Sequence, residues 1–144
     1  MNDFVDADRA GNQVTRRSHT GILIHLNSAP IIWYSKAQNT VESSTFGSEF
    51  IASRIAVEMI ESLPYKLCML GAPILTSGNV FCDNKSVVTI STTPTSTLKK
   101  KHSSMEYHQV RDAEAAGILR IAKVASKQNL ANFLTKPLPA HDTN

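Results

Sequence analysis

Residues 42–63, with the sequence ESSTFGSEFIASRIAVEMIESL, form the stretch that decides the fold. Apolar residues recur there at helical spacing, residues 43–45 (Ser-Ser-Thr) offer candidate N-caps, and Pro64 is expected just past the end. The stretch therefore predicts one long helix with an apolar face, around which the flanking segments must pack.

Short apolar segments of a different kind flank this helix. They are rich in β-branched or aromatic residues and bounded by turn residues, which favours strands. The predicted strands are residues 4–8 (FVDAD), 20–27 (TGILIHLN), 30–36 (PIIWYSK), 79–82 (NVFC) and 118–125 (ILRIAKVA), the second and third forming a hairpin. Further helices are predicted through residues 87–90, from residues 99–102 (KKKH) to Ala116 with Gly117 ending it, and from about Asn129 to Lys136. The order β-β-β-α-β-α-α-β-α predicts a mixed α/β domain.

Composition narrows the class of protein. The chain has 144 residues, 42% apolar and 19% charged, which suits one domain with its own core. No run approaches the roughly 20 apolar residues of a membrane span, and two cysteines, Cys68 and Cys82, make neither a disulfide framework nor a paired zinc site. His102 and His108 do not share one helical face, which disfavours zinc there as well. The net charge of +3 permits an anionic partner.

Glu49 lies on the apolar side of the predicted long helix. With Glu49 set at zero degrees, four apolar residues fall within about 60 degrees of it: Ala52, Ala56, Ile60 and Leu63. A buried carboxylate is costly unless a cation or several hydrogen-bond donors lie beside it. Two interpretations stay open: Glu49 lies at the rim of the helix and pairs with a Lys or Arg, or it belongs to a functional site.

Two aspartates are candidates for the same site. Asp83 directly follows the predicted buried strand 79–82, and ligands collect in the crevice outside the carboxyl ends of such strands. Taken alone, Asp83 can instead cap the helix that follows. Asp6, in the first strand, shares the crevice if the two strands are neighbours. Three converging carboxylates would repel one another, and divalent cations such as Mg²⁺ relieve that repulsion.

Several motifs together resemble a known family. They include residues 5–11 (VDADRAG), 35–45 (SKxQNTVExST), 82–86 (CDNxS) and 129–136 (NLAxxLTK). In this order and spacing they resemble the ribonuclease H domain of copia-type long-terminal-repeat retrotransposon Pol polyproteins, from about Phe4 to Leu138. The resemblance implies a ribonuclease H-like fold: a five-stranded mixed sheet, its first three strands antiparallel, flanked by helices. It also assigns residues 1–138 to this domain and residues 139–144 to a polar tail.

The resemblance implies hydrolysis of the RNA strand of RNA–DNA hybrids by a two-metal-ion mechanism. Asp6, Glu49 and Asp83 match the family's first three catalytic, metal-binding acids, and Asn132 stands at the fourth, where the family has Asp. Two Mg²⁺ ions are implied, with Mn²⁺ as a substitute. An Asn offers an amide oxygen without charge, so we expect weakened but metal-dependent activity, which Asn132→Asp should raise.

The same resemblance implies the partners. Hybrid recognition should rest on phosphates and ribose 2′-hydroxyls, with no small-molecule cofactor and no membrane. The candidate nucleic-acid-binding residues are Arg16, Arg17, Asn84, Lys99, Lys100, Lys101 and His102. A reverse transcriptase domain of the same polyprotein is the expected protein partner, in the cytoplasm, inside a virus-like particle.

Three alternatives stay open. The first is a hybrid-binding module from a degenerate retrotransposon copy, impaired or inactive in catalysis, of which Asn132 would be the symptom. The second is a transposase or integrase core, but those families have the order Asp, Asp, Glu, whereas Glu49 falls between Asp6 and Asp83 here. The third is a small-molecule α/β domain, which the lack of a Gly-rich phosphate loop disfavours.

Overall fold

The computed structural model of the 144-residue chain describes residues 1–74, 76–93, 95 and 104–136. Its strands are β1 (Asn2–Asp8), β2 (His19–Leu26), β3 (Ala29–Ala37), β4 (Gly78–Cys82) and β5 (Leu119–Lys123). Its helices are α1 (Thr45–Met69), α2 (Lys85–Thr92), α3 (Ser104–Ala115) and α4 (Asn132–Thr135), with one 3₁₀ turn at Ser126–Gln128. The order of elements agrees with the sequence prediction.

The five strands form one mixed sheet in the order β3-β2-β1-β4-β5. Strands β1, β2 and β3 are antiparallel, whereas β4 pairs in parallel with both β1 and β5. This confirms the predicted fold class. Because β1 and β4 are parallel neighbours, their carboxyl ends meet at the same edge, and Asp6 and Asp83 both lie there.

The core lies between the sheet and helix α1. Helix α1 packs on β1 and β2 and against α3. Its Phe50 and Ile60 are fully or almost fully buried, as are Val5, Ile22 and Val80 on the strands. The apolar face predicted for this helix is therefore the buried one.

Helix α1 is longer than predicted. Pro64 was expected past its end, but the helix contains Pro64 and continues to Met69. Proline costs the helix one backbone hydrogen bond because it has no N–H, yet Leu67 in the next turn still packs against the core. The helix ends where Gly71 takes a positive φ of 78° and the N–H groups of Gly71 and Ala72 donate to the carbonyls of Cys68 and Leu67.

Other boundaries shift by a few residues. The first strand begins at Asn2 rather than residue 4, and the last helix begins at Asn132 rather than near Asn129. Asn129 is not helical because its buried side chain ties two segments together: Nδ2 donates to the Val5 carbonyl at 2.8 Å, and Oδ1 accepts from the Ala131 N–H at 3.2 Å. Gly117 ends α3 as predicted, with φ of 71°.

Candidate active site

Glu49 is buried near the start of α1. The helix begins after Ser44, whose Oγ accepts a hydrogen bond from the Gly47 N–H at 3.2 Å, so one of the three predicted N-caps is confirmed. Glu49 lies one turn further on and is only 4% exposed. Because Glu49 is buried, and because no salt bridge joins it to a Lys or Arg among the described residues, the rim-pairing alternative for Glu49 is wrong.

Asp83 is free of the capping role that the sequence allowed it. The N-cap of α2 is its neighbour Asn84, whose Oδ1 accepts from the N–H groups of Ser86 and Val87 at 3.0 and 3.4 Å. The half-buried Asp83 side chain therefore remains available at the carboxyl end of β4.

Glu49 and Asp83 meet beside Cys82. The Cys82 thiol donates to Glu49 Oε2 with sulfur and oxygen 3.5 Å apart. One potential ligand atom from each of Glu49, Cys82 and Asp83 lies within 4.8 Å of the other two. Burial and the neighbouring Glu49 charge raise the pKa of the Cys82 thiol, so it stays protonated and is a hydrogen-bond donor rather than a nucleophile or a thiolate ligand.

Asp6 reaches the same region from β1. It is 5% exposed, and its Oδ2 accepts a hydrogen bond from the Thr135 hydroxyl on α4. Gly21 of β2, which pairs with Asp6 of β1, allows α4 to come this close. A Cβ at residue 21 would lie 2.8 Å from both the Ala131 carbonyl oxygen and Thr135 Cγ2. A glycine is thus required at this position for the contact between α4 and Asp6.

The three carboxylates act on one another. Burial, together with the negative charges of Asp6 and Asp83, raises the pKa of Glu49 to about 8. Burial also raises the pKa of Asp6; the Thr135 hydrogen bond opposes this, the Asp83 charge adds to it, and the Lys136 charge opposes it. Glu49 holds its proton at neutral pH unless a cation neutralises the site.

Asn132, in place of the fourth acid, has both ends of its amide engaged. Its Oδ1 accepts from Lys136 Nζ at 3.0 Å, and its Nδ2 donates to the Ser126 carbonyl at 2.5 Å. Asp6, Glu49 and Asp83 offer the hard, anionic oxygens that a divalent cation prefers, and their mutual repulsion gives a reason to bind one. Asn132 offers no such charge, so the residues present fit one ion but not a second ion at this position.

Three of the seven candidate nucleic-acid-binding residues lie in the part of the chain that the structure describes. Arg16 and Arg17 are exposed in the loop between β1 and β2. Arg17 lines a hollow of about 340 Å³ that also includes Asp8, Thr135 and Lys136, and Thr135 is the hydrogen-bond partner of Asp6. Asn84 lies beside Asp83 but uses its amide oxygen as a cap. Lys99, Lys100, Lys101 and His102 lie outside the described residues.

Two residues that complete this region were not predicted from sequence. Thr135 and Lys136 bring a hydroxyl and an ammonium group to Asp6 and Asn132. Both belong to the segment NLAxxLTK, so the motif pointed to the right helix. Helical spacing gave a partial signal, because Asn132 and Lys136 are four residues apart and share a face.

Comparisons with known proteins agree with this architecture. The chain is 31% identical over 139 residues to the retrovirus-related Pol polyprotein from transposon TNT 1-94 of Nicotiana tabacum, covering 96% of this chain and 10% of that protein. It is 29% identical over 138 residues to the corresponding polyprotein from transposon RE1 of Arabidopsis thaliana, covering 96% of this chain and 9% of that protein. The chain thus spans about a tenth of the length of these relatives. No protein-family model matches it.

Solved structures supply the fold. The structure of LC11-RNase H1 in complex with an RNA/DNA hybrid has a TM-score of 0.70 and 14% identity, covering 92% of this chain and 91% of that one. The N-terminal RNase H domain of rv2228c from Mycobacterium tuberculosis has a TM-score of 0.65 and 19% identity, covering 93% of this chain and 88% of that one.

Sheet order and these neighbours define a domain with the ribonuclease H fold. Its homologues are copia-type retrotransposon Pol polyproteins, which match it along 96% of its length. The resemblance drawn from the motifs is therefore confirmed. Among the described residues, no helix is both long enough and apolar enough to cross a bilayer.

Proposed function

We propose that this chain is a divalent-metal-dependent endonuclease that hydrolyses the RNA strand of RNA–DNA hybrids during reverse transcription of a retrotransposon. One observation carries the proposal: Glu49 is buried against Asp83, and Asp6 lies close enough for its charge to act on Glu49 and for the Asp83 charge to act on it. In the ribonuclease H fold, three carboxylates gathered in this way destabilise the folded protein unless a cation binds to them.

Asp6, Glu49 and Asp83 would hold the cation, Mg²⁺ or, as a substitute, Mn²⁺. With a cation held there, the site would supply positive charge to the scissile phosphate and would make water a better nucleophile at neutral pH. The Thr135 hydroxyl orients Asp6 and opposes the rise in the pKa of that carboxyl. The neutral Cys82 thiol orients Glu49 without competing for the metal.

The reaction is a hydrolysis at phosphorus. The oxygen of water bonds to phosphorus, the bond from phosphorus to the 3′ oxygen breaks, and the 3′ oxygen leaves as a hydroxyl with a proton that derives from water. The products are a 5′-phosphate and a 3′-hydroxyl. No covalent enzyme intermediate is needed, which agrees with the protonated state of the Cys82 thiol beside Glu49.

Hybrid recognition would use the exposed surface around the carboxylates. Arg17 lines a hollow together with Thr135, the hydrogen-bond partner of Asp6. Arg16 is its exposed neighbour, and both arginines suit phosphate contacts. Asn84 is one residue from Asp83 and has an amide N–H₂ that suits a sugar hydroxyl or a base edge. We include Lys99, Lys100, Lys101 and His102 as further phosphate contacts on sequence grounds alone.

The polyprotein context completes the proposal. Residues 1–138 would form the ribonuclease H domain, residues 139–144 a polar tail, and a reverse transcriptase domain of the same polyprotein the protein partner. The place of action would be the cytoplasm, within a virus-like particle.

Asn132 favours a second candidate, a hybrid-binding module with impaired or lost catalysis. The amide at the fourth position lacks the charge that a second ion requires. If the chain is an active nuclease, Asn132→Asp raises turnover; if it is a binding module, no metal concentration yields cleavage.

Cleavage of an end-labelled RNA–DNA hybrid decides between the two. The wild-type chain should cut only the RNA strand in Mg²⁺ or Mn²⁺, and not in EDTA. Asp83→Asn should reduce the rate by about 10³-fold or more, because a neutral amide then replaces the charged carboxylate that anchors the cation. Binding of the hybrid without cleavage in either metal would support the module instead.

A further inference from the structure

We propose that the Lys136 ammonium group supplies the second positive charge of this site, so that the site takes one divalent cation rather than two. The inference rests on the proposed nuclease function and deepens it. It concerns the fourth position, where Asn132 stands and the two-ion expectation does not fit.

The position of Lys136 is fixed by the chain around it. Its Nζ lies 3.0 Å from Asn132 Oδ1, and its backbone N–H donates to the Asn132 carbonyl at 3.3 Å. The preceding residue, Thr135, is buried and hydrogen-bonded to Asp6. The end of α4 is thus held against Asp6, and the Lys136 side chain extends from it.

If the Asn132 side chain turned its amide oxygen toward a cation, it would lose hydrogen bonds that it makes now. Its Nδ2 donates to the Ser126 carbonyl at 2.5 Å, which fixes the amide plane, and Oδ1 then points at Lys136. A divalent ion bound to this oxygen would lie beside an ammonium group of like charge. Repulsion and the missing carboxylate both act against a second ion.

Lys136 already acts on the same groups that a metal would neutralise. Its positive charge lowers the pKa values of Asp6 and Glu49, although burial outweighs it in both. The side chain is exposed and lines the hollow shared with Arg17, so a phosphate can approach it from solvent. Lysine binds phosphate as a point charge, and here it would contact a non-bridging oxygen.

Counting bound Mn²⁺ tests the inference apart from activity. Electron paramagnetic resonance would measure the Mn²⁺ bound to two samples: the protein alone, and the protein frozen with excess hybrid before the hybrid is consumed. The Mn²⁺ held by the hybrid itself is subtracted from the second measurement. The wild-type chain should bind one ion in both states. The double variant Asn132→Asp, Lys136→Met should bind two with hybrid present, because it restores the carboxylate and removes the ammonium group.

Affinity and rate give the second readout. Lys136→Met should bind its one Mn²⁺ about tenfold more tightly, because a neighbouring positive charge is gone, yet cleave at least tenfold more slowly. Lys127→Met, which removes an exposed lysine from the preceding 3₁₀ turn, is the matched control and should change neither quantity.

Two results would overturn the inference: two ions bound to the wild-type chain with hybrid, or Lys136→Met behaving as Lys127→Met does. If no variant cleaves hybrid, the proposed function fails, but the Mn²⁺ count and affinities still decide the role of Lys136. If hybrid is cleaved with two ions bound, the function stands and the inference fails.

Discussion

The hydroxyl of Thr135 on the last helix donates a hydrogen bond to Oδ2 of Asp6 on the first strand, 129 residues earlier in the chain. This contact joins the two ends of the described domain at its carboxylate cluster. It is possible because Gly21 leaves room for α4 against the sheet.

Replacing Thr135 by valine should weaken metal binding. The Thr135 hydrogen bond opposes the rise in the pKa of Asp6 that burial causes, so its loss makes the ionised ligand less available. Hydrogen bonds to charged groups contribute about 1.5–3 kcal/mol, so Mn²⁺ affinity should fall about tenfold or more. Titration calorimetry at pH 7 measures this. Thr135→Ser keeps the hydroxyl and should retain affinity; equal affinities in the Val and Ser variants would contradict the assignment.

Glu49 should make the metal-free protein less stable as pH rises. Its pKa is about 8 in the folded chain against an ordinary value of 4.5, so between these values the folded state holds a proton that the unfolded state has lost. Protonated Glu49 makes its full contribution to the unfolding free energy below about pH 4.5, and this contribution is lost as the pH rises to about 8. In EDTA, Glu49→Gln should therefore gain stability relative to wild type as pH rises between these values, reaching about 5 °C in melting temperature. A pH-independent difference between the two proteins would count against Glu49 as a buried carboxyl with a raised pKa.

Asp3 predicts a separate pH effect away from the site. It is fully buried on β1, neither of its carboxylate oxygens has a hydrogen-bond partner among the described residues, and burial raises its pKa to about 7 despite the nearby amino terminus. The stabilising contribution of Asp3 is present below pH 3.8, the ordinary pKa of its carboxyl, and is lost as the pH rises through about 7. Asp3→Asn should therefore raise the melting temperature at about pH 8 by about 5 °C and change it little at about pH 3.5. A variant less stable than wild type at the higher pH would show that the carboxylate has a partner in solution.

Asn84 allows capping and substrate binding to be separated. Asn84→Ala should cost about 1 kcal/mol of unfolding free energy, because the N–H groups of Ser86 and Val87 lose their acceptor. Asn84→Ser restores a capping oxygen and should recover most of that stability, but it lacks the amide N–H₂. Chemical denaturation and hybrid binding measured side by side would test both roles. If the Asn84→Ser variant binds hybrid as tightly as the wild type, Asn84 serves the helix alone.

Sequence patterns predicted the fold well where periodicity is local. The apolar face of α1 predicted its buried residues and placed Glu49 on that side, although the rim alternative stayed open. The element order predicted a mixed α/β domain, and the family resemblance added the five-stranded mixed sheet. The helix end predicted from Pro64 was wrong because a proline signal is local, whereas the packing of Leu67 against the core is tertiary. The choice of cap between Asp83 and Asn84 stayed open because either side chain can cap, and only the backbone position settles it.

Sequence reasoning selected the three acids of the candidate site, whose catalytic role stays a prediction, but it did not find their supporting contacts. Asp6, Glu49 and Asp83 are separated in sequence, but strand-end position pointed to Asp83, helical phase pointed to Glu49, and the family motifs matched all three. The Thr135 hydroxyl and the Cys82 thiol could not be assigned to their carboxylates, because those contacts depend on how α4 and β4 sit against β1 and α1.

Diffraction from crystals grown with Mn²⁺, measured at a wavelength where manganese scatters anomalously, tests the central claim most directly. We expect an anomalous peak about 2.0–2.3 Å from carboxylate oxygens of Asp6, Glu49 and Asp83, with Glu49 ionised. Density that shows no ion among these three side chains at millimolar Mn²⁺ would contradict a metal-dependent nuclease at this site.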